Sequence, residues 1–123
     1  MSDLVAGDLK ITKSEQGQTL RLDWRGKSNS REPAKLLQPF FGEIAQRAVE
    51  QKATVEMHFE ALEHFNSSTI TALIQFIQTS RSRGVPLSIV YDGAQKWQRL
   101  SFDALRIFEK SDGLLSFRSV EGR

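Results

Sequence analysis

The run Phe65-Asn66-Ser67-Ser68-Thr69 places four consecutive polar residues where a connection meets the best-defined amphipathic helix of the chain. Hydroxyl and amide side chains at a helix start accept hydrogen bonds from the free backbone N–H groups of the first turn. The same N–H groups and the helix dipole also favour a phosphate group. A phosphoserine there would add about two negative charges to an exposed surface and disturb the fold little. The run therefore predicts either an N-cap or a phosphorylation switch, and the residues alone favour the cap.

Two histidines and nearby carboxylates form the candidate metal ligands. His58 and His64, with Glu56, Glu60 or Glu63, would supply a two-histidine, one-carboxylate site. The histidines lie on a predicted strand and on the connection after it, without a recognisable ligand motif. A structural or surface role is therefore favoured for each, and we predict neither a metal site nor a cofactor.

The motifs of catalysis and nucleotide binding are missing from the sequence. It contains neither a GxxxxGK[ST] phosphate loop nor a GxGxxG turn. His64 precedes Ser67 by three residues, but no GxSxG nucleophile elbow surrounds that serine. We therefore predict that the chain is not an enzyme.

Apolar periodicity predicts the elements that must position the polar run. Alternation predicts strands over residues 9–13, 20–24 and 54–59, the first two forming an antiparallel hairpin, and two further strands are predicted over residues 87–91, before Asp92-Gly93, and 114–120, after Asp112-Gly113. Polar loops or connections are expected over residues 26–30 and 61–65.

Three helices are predicted between these strands. The first is preferred from Gln38 to about Lys52, after a short turn at residues 33–37, because Pro39 suits a helix start; one helix kinked at Pro39 is the alternative. The second runs to about Arg83, and the third covers residues 95–108 with a possible break near Ser101. Strands that alternate with helices imply parallel crossover connections. The prediction is one α/β domain over residues 1–123, with a core of about 9–120 and a mixed four- to five-stranded sheet that carries its helices mainly on one face.

The composition is that of a small globular domain. The chain has 123 residues, 39% hydrophobic and 26% charged, and no cysteine, which suits a reducing compartment. No signal peptide and no membrane span of about 18 apolar residues is evident, so a cytoplasmic protein is expected. The 17 basic and 15 acidic residues give a net charge of +2 and are scattered, so no nucleic-acid partner is predicted.

The order of elements and the hydroxyl residues at the second helix start resemble a STAS domain, the fold of anti-sigma-factor antagonists. In that family the strand runs into Asp-Ser-Ser/Thr-Gly, and a partner kinase phosphorylates the serine after Asp. Asn66-Ser67-Ser68-Thr69 stands in that place, so the resemblance implies phosphorylation at Ser67, with Ser68 as second choice. Asn66 and Thr69 differ from the family's Asp and Gly.

The SiaC-type regulatory phosphoproteins are the more similar subgroup. Their motif is aromatic-Asn-Thr-Ser-Ser, and the segments 26–28 and 36–41 are also similar to theirs. The acidic run that often follows their fourth strand is replaced here by residues 91–94. The resemblance covers residues 9–119 and implies a partner-binding surface that includes His64, Phe65, Asn66, Ser68, Thr69 and Ser28.

Two function classes remain open from the sequence. The resemblance implies a phospho-regulated adaptor in a bacterial-type partner-switching system. Its partners would be a serine/threonine kinase of anti-sigma type, a PP2C-type phosphatase and an output protein, either a sigma-factor regulator or a diguanylate cyclase. The alternative is an unmodified STAS-like module that binds a small molecule or acts as a scaffold. Because both classes predict the same fold, only mapping of a phosphosite separates them.

Overall fold

The computed structural model describes residues 3–120. In this range the elements are, in chain order, β1 (Leu4–Ala6), β2 (Leu9–Gln16), β3 (Thr19–Ser28), α1 (Pro33–Gln51), β4 (Thr54–His58), β5 (Leu62–Phe65), α2 (Ser67–Ser82), β6 (Leu87–Asp92), α3 (Lys96–Leu105), a short 3-10 helix (Arg106–Phe108) and β7 (Leu115–Val120).

These strands form one mixed sheet in the order β1-β2-β3-β4-β6-β7, with β5 paired to β3 beyond the end of β4. The β1, β2 and β3 strands pair antiparallel, whereas the pairs formed by β4, β5, β6 and β7 are parallel. The mixed α/β fold is confirmed, but the described sheet has seven strands rather than four or five. The additional strands, β1 and β5, have three and four residues, too few for an alternating pattern to stand out.

A line of aromatic rings packs the three helices onto one face of the sheet. Phe76 of α2 lies 4.7 Å from Phe41 of α1, whose ring is 6.1 Å from Trp24 of β3. Phe59, after β4, lies 4.8 Å from both Trp24 and Phe102 of α3. The prediction that the helices lie mainly on one face is confirmed.

The preferred prediction that the first helix begins at Gln38 is wrong. The helix α1 begins at Pro33 and contains Pro39 in its interior. Pro33 occupies the first turn, where a missing N–H costs no helical hydrogen bond. Pro39 is exposed, while Leu37 and Phe40 on either side of it are buried. Burial of this apolar stripe explains why the helix continues through the proline.

The segment predicted as a polar loop at residues 26–28 is the end of β3. A Cβ atom on Gly26 would lie 1.9 Å from the backbone oxygen of Asp8, and its φ is +83°. Only glycine allows this close approach and this backbone conformation. The amide of Lys27 then donates a hydrogen bond to the Asp8 oxygen at 3.1 Å, which continues the strand.

The remaining differences between the predicted and the observed elements are smaller. The predicted connection at residues 61–65 contains β5, and the predicted break near Ser101 occurs instead at Arg106, where α3 gives way to the 3-10 helix. Among residues 3–120, no helix is both long and apolar enough to cross a bilayer.

Candidate functional site

The starts of the three helices lie along one edge of the sheet. The parallel strands β3, β5 and β6 end at residues 28, 65 and 92, and each is followed by a helix. The carboxyl ends of parallel strands meet at the same edge, which is where α/β folds place their functional groups. None of the three helices has an acidic residue in its first turn. The polar run therefore sits at the centre of this edge, and no carboxylate lies in the first turn of any of the three helices.

Asn66 is the N-cap of α2. Its Oδ1 accepts a hydrogen bond from the Thr69 amide at 2.9 Å, and its backbone is extended, with φ −91° and ψ 173°. Its Nδ2 donates to the Ser30 carbonyl at 2.8 Å. Asn66 thus satisfies an orphan N–H of the helix and also ties α2 to the loop after β3.

A buried pair of hydroxyl groups lies beneath this cap. Thr69 Oγ1 donates to Asn66 Oδ1 at 2.8 Å, and Ser28 Oγ lies 2.7 Å from Thr69 Oγ1, which leaves Ser28 as the donor of that bond. Ser28 and Thr69 are only 2% and 0% exposed. Both hydroxyl groups are therefore satisfied within the protein, as buried polar groups must be.

Phe65 anchors the same segment to the core. It is 4% exposed and packs edge-on against Trp97, with ring centres 5.2 Å apart, and against Phe102 at 5.6 Å. Of the residues predicted to bind a partner, Ser28, Phe65 and Thr69 are buried. Their side chains can shape the surface only by positioning their neighbours.

The remaining members of the predicted site face solvent. His64, Ser67 and Ser68 are exposed, and Asn66 is partly exposed. Within residues 3–120 neither the Ser67 nor the Ser68 hydroxyl has a hydrogen-bond partner; Ser67 uses its backbone oxygen to accept from Thr71 Oγ1 at 3.2 Å. The structure thus presents two serine hydroxyls without a hydrogen-bond partner at a capped helix start.

The candidate metal ligands do not converge. His58 is buried, and its Nε2 contacts Glu56 while its Nδ1 lies 3.1 Å from Glu60 Oε1. The two carboxylates therefore lie on opposite sides of the imidazole, and His64 packs 6.3 Å from the Trp97 ring instead. In the part of the chain that is described, no group of three or more His, Asp or Glu side chains is placed to hold a metal ion.

A second polar cluster lies beside His58 on β3. Arg21 donates through Nε and Nη2 to the Asp23 carboxylate at 3.0 Å. This hydrogen bonding raises the pKa of the Arg21 guanidinium above its usual range. The cluster is a set of mutually satisfied charges, and it is separate from the serines at the start of α2.

Two glutamines that sequence patterns did not indicate hold the site in place. Gln98 is fully buried in α3; its Nε2 donates to the Phe59 carbonyl at 2.7 Å, and its Oε1 accepts from the Asp92 amide at 2.8 Å. Gln95 donates to the Glu60 carbonyl at 3.2 Å. A glutamine beside a tryptophan on an amphipathic helix resembles a surface residue, so no signal in the sequence identified this role.

Replacing the cap tests how firmly the site is held. Asn66→Ala should lower the free energy of unfolding by about 1–2 kcal/mol, because the Thr69 amide and hydroxyl lose their acceptor. Asn66→Asp keeps that acceptor, loses the donor to Ser30 and adds a negative charge that the helix N-terminus favours, so it should be the more stable of the two variants. Chemical denaturation of both variants and the wild type measures this order. An Asn66→Ala protein as stable as the wild type would show that the cap contributes nothing.

Solved structures of regulatory proteins have the same fold. An anti-sigma factor antagonist from Mycobacterium paratuberculosis matches with a TM-score of 0.63 and 13% identity, over 85% of this chain and 86% of that chain. The unphosphorylated anti-sigma factor antagonist SpoIIAA matches with a TM-score of 0.58 and 13% identity, over 92% and 89% of the two chains.

The third solved structure is the diguanylate cyclase SiaD in complex with its activator SiaC from Pseudomonas aeruginosa. It matches with a TM-score of 0.65 and 17% identity, over 96% of this chain and 98% of that chain. No family model and no curated protein matches the sequence. At these identities the likeness shows the fold, and it confirms the STAS-like fold that the resemblance predicted.

Proposed function

We propose that this chain is a phospho-regulated, protein-binding adaptor whose Ser67 accepts a phosphoryl group. The observation that carries the proposal is the exposed, unbonded Ser67 hydroxyl at the start of a helix that Asn66 caps. Phosphorylation there changes a surface without unfolding the protein, because the modified side chain already faces solvent.

Three neighbouring hydroxyl groups are candidates for phosphorylation, and they differ in how accessible they are. Thr69 is fully buried and hydrogen-bonded to Asn66, so a kinase would have to open the helix start to reach it. Ser67 and Ser68 are both exposed. Ser67 directly follows the cap and, by the resemblance, matches the serine that is phosphorylated in anti-sigma-factor antagonists, so we take it as the first choice and Ser68 as the second.

The surroundings of Ser67 suit an added phosphate. It lies at the first position of α2, where free backbone N–H groups and the dipole favour negative charge. The first turn contains no acidic residue that would repel the group. In the reaction, Ser67 Oγ attacks the γ-phosphorus of ATP, and ADP and the hydroxyl proton leave.

The neighbours by fold suggest which proteins take part. Two are anti-sigma factor antagonists, and the third, SiaC, is described as the activator of a diguanylate cyclase. By analogy, this adaptor would receive phosphate from an anti-sigma-type serine/threonine kinase and lose it to a PP2C-type phosphatase. Its output partner would be a diguanylate cyclase or a sigma-factor regulator in the cytoplasm, and the chain itself would catalyse nothing.

Phosphosite mapping tests the proposal directly. Incubation of the purified protein with ATP and an extract of the cells that make it should phosphorylate Ser67, as located by fragmentation mass spectrometry. Ser67→Ala should abolish most of the incorporated phosphate, while Ser68→Ala should leave it largely unchanged. Equal labelling of the wild type and the Ser67→Ala variant would reject Ser67. Labelling of neither Ser67 nor Ser68 would favour the alternative, an unmodified STAS-like module.

A further inference from the structure

A partly apolar surface of α3 lies next to the proposed phosphosite. The Trp97 ring lies 6.3 Å from the His64 ring and packs on Phe65, so it borders the residues that lead into Ser67. Leu100, one turn further along α3, is 58% exposed. We define the docking face as His64, Trp97, Lys96 and Leu100, together with Arg31 on the loop that is hydrogen-bonded to Asn66.

Two members of the docking face, Lys96 and Arg31, are exposed cations. Lys96 begins α3 directly before Trp97, and Arg31 follows Ser30, whose carbonyl accepts the hydrogen bond from Asn66. Both cations are exposed, and within residues 3–120 neither forms an ion pair. The positive charge of both side chains is therefore available to another molecule.

Nearby carboxylates are engaged or lie outside this surface. Asp92 is buried and accepts from the Ala94 amide, and Glu32 pairs with Lys35 at 3.1 Å. Glu63 lines a separate recess together with Asp8. The docking face thus combines exposed apolar area with unpaired positive charge.

We propose that the docking face binds an acidic segment of the partner protein, in which carboxylates meet Lys96 and Arg31 and an apolar side chain covers Trp97 and Leu100. Tryptophan and arginine are the residue types that most often dominate binding energy at protein interfaces, and opposite charges across an interface speed and orient association. This inference rests on the proposed function for its link to the switch. A phosphate on Ser67 would repel the carboxylates of the segment and attract the two cations to itself.

Short random peptides displayed on phage provide a probe that needs no knowledge of the partner. Selection on the unphosphorylated full chain should enrich peptides with several carboxylates around an aromatic or aliphatic residue. A synthetic copy of the most enriched peptide is then titrated calorimetrically against the wild type and against charge-reversal variants.

The variants distinguish the docking face from general electrostatic attraction. Lys96→Glu and Arg31→Glu should each weaken binding of the peptide by at least about tenfold, as should Leu100→Asp. The matched control is Lys110→Glu, because this exposed lysine lies beyond the opposite end of α3. The control should bind as the wild type does, and thermal melting should show all four variants folded.

The possible outcomes separate the docking face from the switch. Failure to select any acidic peptide, or equal binding by the face variants and Lys110→Glu, would overturn the docking face. Phosphoserine installed at position 67 by nonsense suppression should weaken binding of the same peptide. If the face variants lose binding while the phosphoserine protein keeps it, the docking face stands and the proposed switch fails.

Discussion

Ser67→Asp should bind the output partner at least about a hundredfold more weakly than the wild type. Like charges brought together across an interface cost several kcal/mol, and a hundredfold loss of affinity corresponds to about 2.7 kcal/mol. Ser67→Ala, by contrast, should bind the partner constitutively and resist phosphorylation. Both proteins should remain folded, because Asn66 caps the helix and Ser67 is exposed. Titration of the purified partner by calorimetry measures the affinities.

Ser68→Asp is the matched control, since it adds the same charge one residue further along the same helix. An exposed carboxylate in the first turn is favourable for the helix in both variants, so differences between them report on the interface rather than on folding. A larger loss with Ser68→Asp would transfer the assignment to Ser68. If neither variant changes the affinity, the switch hypothesis is wrong, and the polar run serves only to cap the helix.

Phe102→Ala should lower the free energy of unfolding by about 3–5 kcal/mol, the range for removing a large aromatic side chain from a core. Phe102 is fully buried at the centre of an aromatic cluster. Its ring lies 4.8 Å from Phe59, 5.6 Å from Phe65 and 5.2 Å from Tyr91. A cavity there would loosen both α3 and the strand that leads to Ser67.

Leu100→Ala on the same helix is the control, because its side chain is 58% exposed and its loss should leave the unfolding free energy nearly unchanged. Urea denaturation of both variants gives the comparison. A loss below about 1 kcal/mol for Phe102→Ala would mean that the cluster contributes little to stability.

Periodicity predicted the elements with strong one-sided patterns. The hairpin of β2 and β3 and the helix α2 were predicted because each has a regular apolar face that packs on the core, whereas β6 is an apolar run in which five of the six residues are buried. Local sequence preferences gave wrong predictions where tertiary packing outweighed them. Pro39 lies within α1 because buried neighbours hold the helix together, and β5 exists because β3 offers it a parallel partner.

The candidate site was predictable in part. The residue types identified the polar run, and helix chemistry predicted a cap within it, which the structure assigns to Asn66. The burial of Thr69 and Ser28 was not predictable, because these residues are 41 positions apart and meet only after the sheet forms. The place of Trp97 beside His64 was not predicted either, because it depends on how α3 packs.

The hydroxyl pair of Ser28 and Thr69 also has a consequence for evolution. The Ser28 hydroxyl has Thr69 as its hydrogen-bond partner, so losing the Thr69 hydroxyl leaves Ser28 as a buried, unpaired polar group, whereas Thr69 without Ser28 keeps its bond to Asn66. A STAS-like protein with glycine at the position of Thr69 cannot offer this partner, and it must carry a different residue in place of Ser28 or pair that hydroxyl elsewhere. The residue at the position of Thr69 in a related chain therefore restricts the residue at the position of Ser28, while the reverse restriction is weaker.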